Sequence, residues 1–210
     1  MGTLPYPPLA LIADGFTTEA RAHRTLAAVK AGVRWVHLRD HSAAPDAFES
    51  AARVLIDQLH DAADSVVVSV NTHLSFAETA GVGVHLGWRG TTAAVAREAL
   101  GPDAPIGYSA HEQVDARSER TQVVDYYFFS PVFPTPSKPD HPGTGIPALR
   151  DFCQATSVPV VALGGITPER VRECLDAGAQ GVAVLSGIME AGAPVAAARA
   201  YLRALAATAE

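Results

Sequence analysis

The chain has 210 residues, 48% of them hydrophobic, and a formal net charge of -6 at pH 7. That length and apolar content suit one domain with a full-sized core. The negative balance speaks against nucleic acid or an anionic membrane surface as partners, because both are bound through excess Lys and Arg, so a small molecule is expected and self-association is left open.

Short apolar runs alternate with alanine-rich amphipathic segments along the whole chain. The first strand reads "LALIAD" (9–14); its apolar stretch is too short for a signal-peptide core or a membrane span and follows no basic region, which points to a cytoplasmic protein. The further strands read "RWVHLRD" (34–40), "SVVVSVN" (65–71), "GVHLG" (83–87), "PIGYSAH" (105–111), "DYYFFSPVF" (125–133), "PVVALGG" (159–165) and "GVAVLSG" (181–187). Helical patterns fill 18–31, 44–63, 74–80, 91–100, 112–121, 146–155, 168–177 and 194–207. Thr167, Pro168 and Glu169 make a good helix start, and the Ala-Gly pairs at 31–32, 80–81 and 177–178 supply glycine where a helix stops. Cys153 and Cys174 fall within helical patterns, form no closely spaced pair, and read as packing thiols.

Eight Val-, Ile- and Leu-rich strands alternating with eight helices describe a single-domain (β/α)8 TIM barrel, residues 1–210. An open doubly wound sheet is the alternative, but no GxGxxG follows the first strand. A barrel of this kind builds its site from the loops after each strand. Strand alternation sends His37, Arg39 and His41 to one face, and Asn71, Ser109 and His111 end strands 3 and 5. Arg39 carries a planar donor fork suited to carboxylate or phosphate, the other reading being a salt bridge across the mouth. Strands 7 and 8 end in "LGGIT" and "LSGIM". Their Gly164, Gly165, Ser186 and Gly187 offer bare N–H groups where this fold usually binds phosphate. The strand 6 loop, "SPVFPTPSKPDHPGTG", reads either as a lid over an anion, with Thr135, Ser137 and Lys138 as donors, or as a solvated connector.

"GVHLG", "IGYSAH", "SPVFPTPSK", "PVVALGGITPERV" and "AGAQGVAVLSGI", in this order, resemble the signatures of thiamine phosphate synthase and its TenI relatives over nearly the whole chain. The resemblance implies a (β/α)8 barrel and a small phosphorylated thiazole or thiamine precursor as ligand. It implies that Thr135, Ser137, Lys138, Gly165, Ser186 and Gly187 match positions touching phosphate or pyrophosphate, and that Arg39, Asn71 and Ser109 match positions lining the pyrimidine and thiazole pocket. His37, on the Arg39 face, joins the substrate-binding candidates.

The synthase joins a pyrimidine pyrophosphate to a thiazole phosphate with magnesium on the pyrophosphate. Its pattern Asn-Asp-Arg is "NTH" here, with Thr72 in place of the first metal-binding aspartate, and Gly-Gln-x-Asp is "GWRG", with Gly90 in place of the second. Hard cations need oxygen ligands, and neither residue replaces a carboxylate. Asp14 and Asp40 are the next carboxylates to consider. "VHLRDHS" resembles the TenI branch, which implies a metal-free thiazole tautomerase, an isomerase working by proton transfer, with no cofactor unless the protein acts as a synthase. Such a proton shift calls for a histidine. Pro131 stands where the TenI pattern carries its catalytic histidine, so the acid/base candidates are His41 first, then His111, with His37 deeper and His141 on the lid. The sequence reading therefore expects a tautomerase, with the synthase and a non-catalytic binding protein as alternatives.

Overall fold

The computed structural model describes residues 2–112, 115, 121 and 123–207. Eight parallel strands close into a barrel: β1 (Leu9–Asp14), β2 (Trp35–Arg39), β3 (Val67–Asn71), β4 (Gly83–Leu86), β5 (Ile106–Ala110), β6 (Tyr126–Phe129), β7 (Val160–Leu163) and β8 (Gly181–Val184). Each pairs with its sequence neighbour, and β8 returns to β1 with Leu9 opposite Val182. The helices are α1 (Glu19–Lys30), α2 (Pro45–Ala62), α3 (Leu74–Ala80), α4 (Ala93–Leu100), α5 (Gly145–Ala155), α6 (Val171–Asp176), α7 (Ser186–Met189) and α8 (Pro194–Ala206). The TIM-barrel expectation holds.

Two local differences matter. The helix expected over 112–121 lies largely outside the described residues. The last predicted strand instead ends at Val184, and Ser186 begins α7, in which Gly187 packs where a Cβ would meet the Tyr201 hydroxyl. The helix expected from Pro168 begins as a 3-10 turn, Pro168–Arg170, before α6.

Strand alternation separates two cores. Outward-facing Val36, Leu38, Val68, Val70, Val84 and Leu86 are buried against the helices. The lumen holds Ile12, Trp35, Tyr126, Phe128, Val161 and Ala183. Tyr6, from the segment before β1, stacks on Trp35 at 4.5 Å between ring centroids and meets Tyr126 edge-on at 5.6 Å, closing the floor. Burial pushes the Tyr6 phenol far above its ordinary value. Cys153 and Cys174 are buried free thiols, which burial pushes up to about 11 and about 12, so both stay protonated as packing groups.

Glycine makes room for these rings. A Cβ at Gly107 would run into Tyr126 and the His85 imidazole, and one at Gly83 into the Tyr6 hydroxyl. Gly107→Ala is therefore expected to overpack the lumen and destabilise the fold by about 1–3 kcal/mol, read as a lowered denaturation midpoint at unchanged slope in urea. An unaltered midpoint would mean that the lumen yields.

Candidate functional site

The strand ends surround one cavity of about 390 Å³. Parallel strands put successive lumen-facing residues at successive depths, so β2 carries Trp35 at the floor, His37 above it and Arg39 near the mouth. Thirteen of the sequence-derived candidates line this cavity: His37, Arg39, His41, Asn71, Ser109, His111, Thr135, Ser137, Lys138, Gly164, Gly165, Ser186 and Gly187. His141 does not line it; it lies exposed on the loop after β6, where its Nδ1 accepts the Gly143 N–H at 3.0 Å. Arg39 lines the cavity and donates from Nε to Asp14 at 2.8 Å, which is the salt bridge of the second reading.

The lower cavity is polar but uncharged. The Trp35 Nε1–H donates to Ser69 Oγ at 3.1 Å, and that oxygen lies 3.0 Å from His37 Nδ1. His85 spans Tyr126 OH at 3.3 Å and Ser109 Oγ at 2.9 Å, with its ring 4.3 Å from that of Phe128. Burial first, and then neighbouring His85, Arg39 and His41, hold His37 well below the ordinary imidazole range. Burial and the Arg39 charge pull His85 down to about 3. Both rings are neutral at pH 7, each a donor at one nitrogen and an acceptor at the other. His111 is fixed differently: its Nδ1 lies 2.6 Å from the Ser130 carbonyl, which can only accept, so Nδ1 carries the proton.

The mouth is cationic. Among the described residues, every formally charged one on the cavity wall is positive: Arg39, Arg89 and Lys138. Partial desolvation and the Arg39 charge pull the Lys138 ammonium below its ordinary value. The turn after β7 presents Gly164 at φ 97° and Gly165 at φ 63°, conformations that favour glycine. A Cβ at Gly164 would lie 2.7 Å from Pro131 Cα, and one at Gly165 would strike the Pro134 carbonyl. The loop after β6 rests on this turn, with the Val132 N–H donating to the Leu163 carbonyl at 2.9 Å and the Phe133 N–H to the Gly164 carbonyl at 3.0 Å. Arg170 clamps the arrangement, donating to the Gly165 carbonyl at 2.7 Å while its guanidinium lies 4.4 Å from the Phe133 ring centroid. Tyr201 donates to the Ile166 carbonyl at 2.9 Å.

The residues do not fit a divalent metal. Among the described residues no cluster of three His, Cys, Asp or Glu side chains could hold an ion. Asp14 is engaged by Arg39, and Asp40 accepts from the hydroxyls of Thr17 and Ser42 and the N–H groups of Ser42 and Ala43. The Thr72 hydroxyl donates to the Asn71 carbonyl at 2.8 Å, and its φ of 60° is unusual for a β-branched residue.

Sequence reasoning missed four wall residues: His85, Phe128, Trp88 and Arg89. Period-two alternation in "GVHLG" and "YYFF" signals the first two. Trp88 and Arg89 sit in a loop, which has no period.

Residues 9–188 match the TMP-TENI family profile, described as thiamine monophosphate synthase. The chain belongs to this family. It is 37% identical to the thiamine-phosphate synthase of Salinibacter ruber over 86% of this chain and 80% of that one. It is 40% identical to the thiamine biosynthesis bifunctional protein ThiM/ThiE of Symbiobacterium thermophilum over 84% of its own length, which is only 37% of that longer protein. In structure it is similar to the thiamine phosphate pyrophosphorylase from Pyrococcus furiosus, with a TM-score of 0.84, 24% identity and 96% of each chain covered.

These relatives correct the expectation of a thiazole tautomerase and of a place nearer the TenI branch. Four relatives at 36–38% identity are named thiamine-phosphate synthase. The misleading signals were the lost aspartates and "VHLRDHS", each only a few residues of the chain. No helix among the described residues is long and apolar enough to cross a membrane.

The neutral imidazoles make stability pH-dependent. Unfolded His85 binds a proton below its ordinary value of 6.5, while the buried ring resists until about 3. The unfolded state therefore binds more protons in that window, and stability falls as pH falls through it, on the order of 1 kcal/mol per pH unit. Urea unfolding at pH 6.5 and 5 should show this loss. His85→Gln, which cannot protonate, should flatten it; a slope unchanged in the variant would place the acid sensitivity elsewhere.

Proposed function

We propose that the protein is a transferase of thiamine phosphate synthesis, joining a pyrimidine methyl pyrophosphate to a thiazole phosphate. The observation that carries this reading is the division of the cavity into an uncharged floor of aromatic, imidazole and hydroxyl groups and a mouth whose charged side chains, among the described residues, are all cations. Both substrates pair a neutral ring with phosphate, and one site must take both rings at depth with both phosphates near the mouth. Family membership supports the same assignment.

In this reading the turns after β7 and β8 hold the thiazole phosphate through the N–H groups of Gly164, Gly165, Ser186 and Gly187, donors suited to an anion approaching bare backbone. Thr135, Ser137 and Lys138 on the β6 loop hold the pyrophosphate, with Arg39 and His41 across the mouth. His37, Asn71 and Ser109 orient the rings by hydrogen bonds. The thiazole nitrogen forms a bond to the pyrimidine's exocyclic methylene as the carbon–oxygen bond to pyrophosphate breaks, its electron pair leaving on the pyrophosphate oxygen. Charge grows on that oxygen in the transition state, and preorganised cations act there most strongly. His41 and His111, candidates for proton transfer in the sequence reading, serve here as mouth contacts; no proton need move at the bond-forming nitrogen. Magnesium, the family's expected ion, finds no carboxylates among the described residues of this wall.

Incubating the protein with the pyrimidine pyrophosphate and thiazole phosphate should yield thiamine phosphate and pyrophosphate in equal amounts. Lys138→Ala should lower kcat/KM by about 10²-fold with little change in melting temperature, since the side chain projects from an exposed loop. A folded protein that forms no product overturns the assignment.

A further inference from the structure

Two cations at the cavity mouth lack a counter-ion. Arg39 is offset by Asp14 at 2.8 Å, but neither Arg89 nor Lys138 has a carboxylate within ion-pair distance among the described residues. In a chain of net charge -6, a wall that gathers three positive groups and no negative one works against its own folding. Such an arrangement is relieved when an anion binds. Arg89 is also held in place: its guanidinium lies 4.7 Å from the centroid of the Trp88 ring, a cation–π contact that limits the side chain's freedom. Trp88 is itself 63% exposed, a large apolar surface left open beside the cavity. Thr72 and Gly90 adjoin this pair; a Cβ on Gly90 would lie 4.0 Å from Thr72 Cγ2. At that place the wall offers a methyl group and bare backbone where a divalent ion would require carboxylates.

We propose that Arg89, braced on Trp88, binds the pyrophosphate group directly and without metal, with Lys138 on the β6 loop as the second cation. This rests on the transferase reading above and assigns to side chains the charge that a divalent ion would otherwise supply. A guanidinium suits the task because its planar fork can donate two parallel hydrogen bonds to neighbouring phosphate oxygens. In the reaction it meets the electron pair that pyrophosphate carries away when the carbon–oxygen bond breaks. The β4 loop thereby becomes the residue-level determinant of metal independence in this chain.

The probe is inorganic pyrophosphate. Of the two tryptophans, Trp35 is fully buried at the lumen floor, so a change in exposed tryptophan fluorescence reports Trp88; calorimetry gives an independent Kd. Binding in EDTA is expected to be saturable. Added magnesium leaves it unchanged or weakens it, because the ion sequesters free pyrophosphate. Arg89→Ala weakens it at least 10-fold under both conditions, and Arg89→Lys falls between. Arg89 is exposed, so the melting temperature should hold. Pyrophosphate bound at least 10-fold more tightly with magnesium, or with equal affinity by wild type and Arg89→Ala, overturns the proposal. The two readings fail separately: metal-free binding without coupling refutes the transferase and leaves this site standing, whereas magnesium-dependent binding with coupling does the reverse.

Discussion

Closing eight parallel strands leaves a lumen that must be filled, and how it is filled decides everything above it. The floor is solved with aromatic rings: Tyr6 plugs it from outside the barrel, and Trp35, Tyr126 and Phe128 pack at centroid distances of 5.1–5.3 Å. Rings this large fit only because neighbouring strands yield space with glycine. Removing one such ring would cost about 3–5 kcal/mol, a sizeable share of the roughly 5–15 kcal/mol that stabilises a typical domain. The filled floor makes the lumen a platform with one open end, and the strand direction makes that end the one carrying Arg39, Asn71 and Ser109.

Polarity then rises step by step from floor to mouth. Hydrocarbon and aromatic surface gives way to hydroxyl and imidazole groups that satisfy one another, and these to free cations. A buried imidazole remains neutral where a carboxylate or an ammonium would demand a partner. His37 and His85 thus let the barrel carry hydrogen-bonding groups at depth without paying for charge. In the transferase reading, the contrast between neutral depth and positive rim would orient a ligand that is ring at one end and phosphate at the other before any specific bond forms.

The barrel was legible because periodicity is a local signal repeated eight times, so that an error at one element hardly disturbs the whole. Strand-borne wall residues such as Arg39 and Ser109 were legible for a related reason, as the alternation that buries Val36 and Leu38 outward must turn their neighbours inward. What the sequence could not supply was partnership. Nothing in "LIAD" and "HLRDH" says that Asp14 engages Arg39 or that Asp40 is consumed by Thr17 and Ser42, and those two facts remove the remaining carboxylates from service. Trp88 and Arg89 were passed over because "GWRG" was read only for what it lacked. The functional branch is misleading for the opposite reason: a few altered positions speak more loudly than an overall likeness spread thinly along the chain.

The loop after β6 is anchored at both of its roots. Val132 and Phe133 bond to the strand 7 turn, and the N–H groups of Thr144 and Gly145 return to the carbonyls of Pro131 and Val132 at 2.8 and 2.9 Å. Only the tip between those anchors is exposed. Swinging the whole loop aside would break the bonds that shape Gly164 and Gly165, so this side of the mouth behaves as a fixed wall. Traffic is left to the opposite side, past His41, Trp88 and Arg89, where the wall is made of exposed side chains. The site thus has a direction: in the transferase reading the thiazole phosphate rests against the rigid half, while pyrophosphate arrives and departs across the side that carries Arg89.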